Sequence, residues 1–590
     1  MLKDKIKKNK WEITLFFVVF FLGFFLRAYH FSDWLHFEID QTYDTLLVSP
    51  AVEKGIANLP LLGPTAGGGR SLRLGPAFYY MEYASAKIFG NDPVGHAMQI
   101  LIFSILALPL FYFLCRHYFS KELSLGLLAI FSTSLYLVLY SRFSWSPNVL
   151  PFLTLAAFYS LLRSVSESEK NKERWFIVAV FIASVASQIH FSSFFSIPLV
   201  FITFLLIKRP KFKLKIWLIS FFILLVVYSP VVLSDIKTGG QNIKYFSEKL
   251  GLDESSSGQK DADKGEKSIG EKIFQDIRYS SLEYFLIVSS IDKINGKRFK
   301  GYDAGLLCKT CRSDFLARIS GIILFFASLI ILAFNLKREK DSVRKDFLCL
   351  CGLWFSSFFL FLFLITYDGF YIYPRFFLLV SPLAIIYAGL ILEKINPDKN
   401  KIRLVIFTIV IIAISSINIK KIIAYYDQLE KVSQEKIQVG TEDVFPNNAR
   451  ITLLQQRQIT SYIETRYKNN GYPIYLKGVH EYDPVFWYHL QKKGIPFEEF
   501  IFVNTGDNIF EQGNYFIIEQ SLFKPEKYLK QYLGSFDVSE TKNFGALVVV
   551  NLKPKPEVSA IIKQDLYNKK PTLQSVQISN ILTWKKLFAK

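Results

Sequence analysis

The stretch Phe37-Glu38-Ile39-Asp40-Gln41-Thr42-Tyr43-Asp44 follows the first long apolar run, Trp11 to Ala28, and sets three carboxylates just beyond its end. An acid at the centre of a bilayer costs about 2.5–3.5 kcal/mol on insertion scales. A cluster of them at the exit of an apolar helix therefore either faces water as a solvated loop end or serves a site enclosed between helices. The rest of the chain weighs these two readings against each other.

Composition decides the broad class. Of the 590 residues, 51% are hydrophobic and 16% aromatic, and the chain carries repeated apolar runs of spanning length, which marks an α-helical polytopic membrane protein. A net charge of +20 would suggest nucleic acid in a soluble protein. Here the Lys and Arg fall in short clusters between apolar runs, the pattern of topology signals and anionic-lipid contact, so no nucleic-acid partner is expected. Of five cysteines, Cys308 and Cys311 alone form a CxxC, with no second pair or His pair to complete a zinc site. On an oxidising side of the membrane they could form a local disulfide.

The basic start Lys3, Lys5, Lys7, Lys8 and Lys10 precedes the run 11–28, which no small-residue cleavage site follows. This reads as an uncleaved helix with its N-terminus in the cytoplasm. Further apolar runs centre on 95–114, 122–140, 148–162, 175–191, 196–207, 216–233, 315–335, 346–366, 375–392 and 404–419, making about eleven spans. Basic residues then concentrate in the inner loops 115–121, 163–174, 208–215, 336–345 and 393–403, while the outer connections 141–147, 192–195 and 367–374 hold Arg142 alone. That is a positive-inside pattern, with Lys420 and Lys421 as the one exception.

Two domains follow: a membrane part, 1–423, with outer loops 30–94 and 234–312, and a soluble extracytoplasmic α/β domain, 424–590. In the second loop, Asp253 to Lys272 is too polar to bury a core. The tail instead alternates a helix-like stretch, Ile451 to Tyr467, with short apolar runs such as Tyr515 to Ile518 bounded by Gly and Asn.

Several pieces in order then carry a resemblance: Asp40-Gln41, Leu62-Gly63-Pro64 with Gly67-Gly68-Gly69, Gly75-Pro76-Ala77-Phe78-Tyr79-Tyr80 and Asn91-Asp92-Pro93. Later landmarks are Ser141-Arg142 to Pro147-Asn148, Gln188-Ile189-His190-Phe191-Ser192 and Tyr373-Pro374-Arg375-Phe376-Phe377. Together they resemble the GT-C superfamily of polytopic glycosyltransferases, in its dolichyl-phosphate-mannose protein mannosyltransferase and aminoarabinose transferase branch (glycosyltransferase family 39-like). The resemblance covers the membrane part to about residue 395 and implies a GT-C-like bundle in the bacterial cytoplasmic membrane. It also implies transfer of a sugar, with inversion, from a polyprenyl-phosphate donor to a lipid, glycan or protein acceptor at the extracytoplasmic face.

The resemblance implies that Asp40 is the base or its orienting carboxylate, with Glu38 and Asp44 as the next candidates. General base catalysis at a held acceptor hydroxyl is worth about 10²–10⁴-fold. The departing phosphate needs donors that stay charged at a low-dielectric boundary, a task suited to the planar fork of Arg. Arg375, opening a span from its outer end, is the first candidate, then Arg73 and Arg70; Arg375 could equally snorkel to head groups. Gln41, Asn148, His190 and Tyr79 are candidates for substrate binding, although Tyr at a membrane border commonly belongs to an anchoring belt.

Some relatives pair a His with an acid to bind a divalent metal. His190 matches that His, but no acid stands beside Leu74-Gly75, the nearest being Glu82, so metal dependence is left open. Asn148 stands where relatives often carry an acid, and an amide cannot act as a base. Two other classes remain: a lipid or glycan transporter or flippase, expected to show internal repeats that are absent here, and a membrane-anchored binding module working through 424–590. The second would not need Asp40.

Overall fold

The computed structural model describes residues 10–65, 72–249, 268–290, 312–367, 372–394, 400–437, 439, 450–479, 482–500, 509–557 and 581–589. Arg70, Gly67 to Gly69, Cys308, Cys311 and most of the polar run 253–272 lie outside these residues.

Among the described residues nine helices are long and apolar enough to cross a membrane, from Lys10–Ala28 to Lys401–Lys431. Two of the expected eleven spans take other forms. The run 122–140 breaks into Lys121–Thr133 and Leu135–Tyr140, and 175–191 becomes the 15-residue helix Lys172–Ala186. At 1.5 Å per residue that helix is about 22 Å long, short of a hydrocarbon core of about 30 Å.

A break in a buried helix leaves backbone groups that lipid cannot satisfy. Here a neighbouring element ends at the same depth. Helix Ile269–Val288, capped by a Ser268/Glu271 box, stops beside the break. Ser134 Oγ donates to the Ile287 carbonyl at 2.7 Å and Asn418 Nδ2 to that of Val288 at 3.0 Å, while the Ser290 N–H donates to Asn418 Oδ1 at 2.8 Å.

That helix lies within the stretch 234–312, expected as an outer loop. It packs into the bundle against Arg312–Arg338, where a Cβ on Gly321 would come within 2.6 Å of the Ser281 carbonyl. Its buried face includes Asp276, Ser280, Ser281 and Glu283. With these polar residues it is not one of the nine helices apolar enough to cross a membrane.

Helix Lys401–Lys431 crosses the bundle and continues beyond it, so the division at 423 falls inside a continuous helix. Lys420 and Lys421 lie about 26 Å beyond Arg403 along this helix. The following turn delivers the chain to a five-stranded sheet in the order β2-β1-β3-β5-β4. β1 (Ile474–Lys477) runs parallel to β2 (Phe497–Glu499) and to β3 (Asn514–Gln520); β5 (Leu547–Pro554) is antiparallel to β3 and to β4 (Phe536–Phe544). Helices Leu453–Asn470 and Asp483–Lys492 cover one face.

The core of that face does not close on itself. Leu476, Ile518, Val549 and Tyr488 form one cluster with Phe31, Leu35 and Phe37 of the membrane part. Phe37 and Leu35 are each 1% exposed, worth roughly 1.5–3 kcal/mol apiece on burial. The α/β domain thus seats on the segment that carries the acidic cluster.

Candidate active site

The first turn of helix Ile39–Lys54 organises the site. Glu38 is its N-cap, and the Gln41 side-chain oxygen accepts from the Glu38 N–H at 3.0 Å. Gln41 is therefore buried and occupied in capping. Glu38 turns toward the α/β domain, where Arg450 Nη1 and the Tyr482 hydroxyl each donate to Oε1 at 2.5 Å. Burial would raise the Glu38 carboxyl, but Arg450, with His36 and Tyr482, holds it below the usual carboxylate range. Glu38 thereby fixes the start of the helix rather than facing the cleft.

Asp40 points the other way. Its side chain is exposed to solvent, yet enough protein surrounds it that burial raises its pKa, so the carboxylate stands in a cleft that stays open to solvent. Glu38 raises it further, while Arg375 opposes the rise and Trp145 donates a hydrogen bond to the carboxylate. The Arg375 guanidinium lies 4.9 Å from the Trp145 ring, 4.3 Å from Tyr373 and 5.7 Å from Phe376. Three aromatic faces thus hold a cation beside Asp40 and keep its donors available. Tyr43 also feels Asp40, its hydroxyl pKa raised by burial and then by that charge.

His190 joins this group through Phe376, with ring centroids 5.2 Å apart. Burial, then the Arg375 charge, depresses it to about 3, so the imidazole is neutral. Its Nδ1 meets Ser192 Oγ at 2.8 Å at the start of helix Phe191–Lys208. Among the described residues no group of three or more His, Cys, Asp and Glu side chains is arranged to hold a metal ion. Glu82, the acid nearest Gly75 in sequence, meets His96 at 3.2 Å instead.

Asp44, one turn beyond Asp40, belongs to a second, enclosed cluster. It accepts from the Tyr79 hydroxyl at 2.8 Å, and burial, reinforced by Glu82, raises its pKa well above the normal value. Burial pushes Glu82 to about 8; Ser144 Oγ donates to it at 3.1 Å, and His96 Nε2 continues to Asn91 Oδ1 at 2.9 Å. Burial thus favours the protonated form of both acids, and Tyr79 is committed to Asp44.

The remaining candidates are dispersed. Arg73 donates through Nη1 to the Gly63 carbonyl at 3.1 Å, and its charge acts on Asp44 and Tyr79 rather than on Asp40. Asn148 is buried, donating to the Phe143 carbonyl at 3.0 Å beside a small cavity that also touches Arg27 and Ser104. Gln188 explains the Gly75-Pro76 turn: a Cβ at Gly75 would meet its Oε1 at 2.2 Å, and Gln188 ties that turn to the Val227 carbonyl at 2.8 Å. Trp145, Tyr373 and Arg450 were not singled out from sequence. Trp145 and Tyr373 sit within the quoted landmarks, whereas Arg450 carries no local signal.

Residues 74–233 match the family model for dolichyl-phosphate-mannose-protein mannosyltransferase. The crystal structure of ArnT from Cupriavidus metallidurans in the apo state shares the fold at 10% sequence identity and a TM-score of 0.50, covering 94% of this chain and 100% of that one. ArnT bound to undecaprenyl phosphate aligns at 10% identity and 0.49 with the same coverage. The Archaeoglobus fulgidus oligosaccharyltransferase in the apo form aligns at 11% identity and 0.47, over 89% of this chain and 71% of that one. No curated protein sequence matches. The family model and the shared fold uphold the resemblance to the GT-C glycosyltransferases drawn from the loop motifs.

Proposed function

We propose that this multi-pass membrane protein of the GT-C fold transfers a sugar from a polyprenyl-phosphate donor to an acceptor hydroxyl at the extracytoplasmic face of the cytoplasmic membrane. The observation that carries the reading is the pairing, in one open cleft, of the Asp40 carboxylate with the aromatic-caged Arg375 guanidinium. The match of residues 74–233 to a family described by a lipid-linked sugar donor supports the donor class.

In this mechanism Asp40 accepts the proton of the acceptor hydroxyl as its oxygen forms a bond to the anomeric carbon. The bond from that carbon to the phosphate oxygen breaks on the opposite face, so configuration inverts. The leaving phosphate keeps the electron pair of the broken bond, and its negative charge is met by Arg375, whose fork can meet two oxygens at once. The surroundings that raise Asp40 suit a base, because a carboxylate at its normal value is a poor proton acceptor at neutral pH. Trp145, Tyr373 and Tyr43 line the cleft as flat surfaces against a sugar ring. The sugar and the acceptor are outcomes of assay.

The test is transfer from a panel of radiolabelled polyprenyl-phosphate sugars by purified protein in liposomes, wild type beside Asp40→Asn. The variant should fold normally and lose about 10²–10⁴-fold in rate. Undiminished turnover by Asp40→Asn would remove Asp40 from the chemistry, and no turnover by wild type with any donor would overturn the reading as a whole.

A further inference from the structure

At the end of the bundle away from Asp40, four helix ends converge on a second polar site. Helix Pro93–Tyr118 measures the separation: its start adjoins the Glu82–His96 pair, and the carbonyl of Tyr118 at its far end accepts from Arg344 Nη1 at 3.5 Å. A helix of that length spans about 39 Å. There Asn335, Arg338, Arg344, Lys394 and Arg403, with Glu339 and Glu393, line an open pocket of about 410 Å³.

Its charges are not balanced. Arg344 is engaged by both acids, Glu339 at 3.1 Å and Glu393 at 2.5 Å, which braces the wall. Among the described residues Arg338, Lys394 and Arg403 then have no carboxylate partner, so four cations face two carboxylates. Two of the three are nevertheless held in position: Arg338 stacks 4.0 Å from the Phe334 ring, and the Lys394 ammonium lies 5.6 Å from the same ring and 3.0 Å from Asn335 Oδ1. Next to them the surface turns apolar and stays exposed, with Ile330 67% and Phe334 46% exposed on one helix and Ile402 66% and Val405 56% on another.

We propose that this pocket binds the phosphate headgroup of an anionic phospholipid whose acyl chains lie along the exposed apolar strips. Surplus cations at a helix-lined crevice recognise phosphate oxygens. The adjoining apolar surface argues for a lipid over a soluble anion, which would gain nothing from it. The site is independent of the transfer chemistry proposed above.

Delipidated protein equilibrated in mixed phosphatidylglycerol and phosphatidylcholine nanodiscs is analysed by native mass spectrometry for retained lipid. Arg338→Gln/Lys394→Gln/Arg403→Gln should retain about tenfold less phosphatidylglycerol than wild type. The control Lys211→Gln/Lys213→Gln/Lys215→Gln, which removes equal charge elsewhere, should match wild type. Arg403→Gln alone, at an exposed helix end, should lower retention severalfold and stands in if the triple variant melts early. Equal loss in pocket and control variants would reduce the effect to bulk electrostatics and overturn the site. Displacement of the lipid by inorganic phosphate as readily as by phosphatidylglycerol would overturn the lipid in favour of a soluble anion.

Discussion

The buried pair Glu38–Arg450 offers a prediction whose size and sign both follow from the structure. Both side chains are buried, and Arg450 binds Glu38 across the junction between the acidic segment and the α/β domain. Arg450→Met leaves the enclosed carboxylate without its cationic partner, beside Tyr482 and His36, and breaking such a pair costs about 3–5 kcal/mol. Glu38→Gln/Arg450→Met removes both charges and should recover about 2 kcal/mol or more of that loss. Because the folded pKa of Glu38 lies below its unfolded value, the pair's contribution is fully present above about pH 4.3 and lost as pH falls through the folded pKa. Denaturant titration in mild detergent, followed by tryptophan fluorescence, measures all three proteins. Sugar transfer should decline with Arg450→Met as well, since Glu38 caps the helix that presents Asp40. A single variant costing under about 1 kcal/mol, or a double variant no more stable than the single, would refute the reasoning.

Arg375→Lys keeps the charge but loses the planar fork and the stacking on Trp145 and Tyr373. It should weaken donor use by about tenfold or more in kcat/KM, and steady-state kinetics with the active donor will read this. Glu82, buried and pushed up to about 8, favours the fold most below its unfolded value near pH 4.3, and that contribution is lost as pH rises toward 8. Glu82→Gln should therefore flatten the fall in stability between pH 5 and pH 8 by on the order of 3 kcal/mol, measured as melting temperature against pH.

Local chemistry was enough for the membrane class and for nine of the expected spans among the described residues. Long apolar runs can be satisfied in lipid only as helices, and Asp40 and Arg375 each stand at the mouth of such a run. The helix Ile269–Val288 escaped this logic because its buried face carries Asp276, Ser280, Ser281 and Glu283, and Asp276 accepts from Thr366 Oγ1 in the bundle instead of facing lipid. The three neighbouring acids show the same limit more sharply. Glu38, Asp40 and Asp44 share one short stretch, yet Glu38 is ion-paired, Asp40 faces the cleft and Asp44 is enclosed. Glu38 turns away from the other two, while Asp40 and Asp44 follow one another on one helix face, the first open to solvent and the second buried; their neighbours, Arg450, Arg375 and Tyr79, come from distant parts of the chain. A carboxylate's role depends on the charges and dielectric around it, and that environment exists only once the chain has folded.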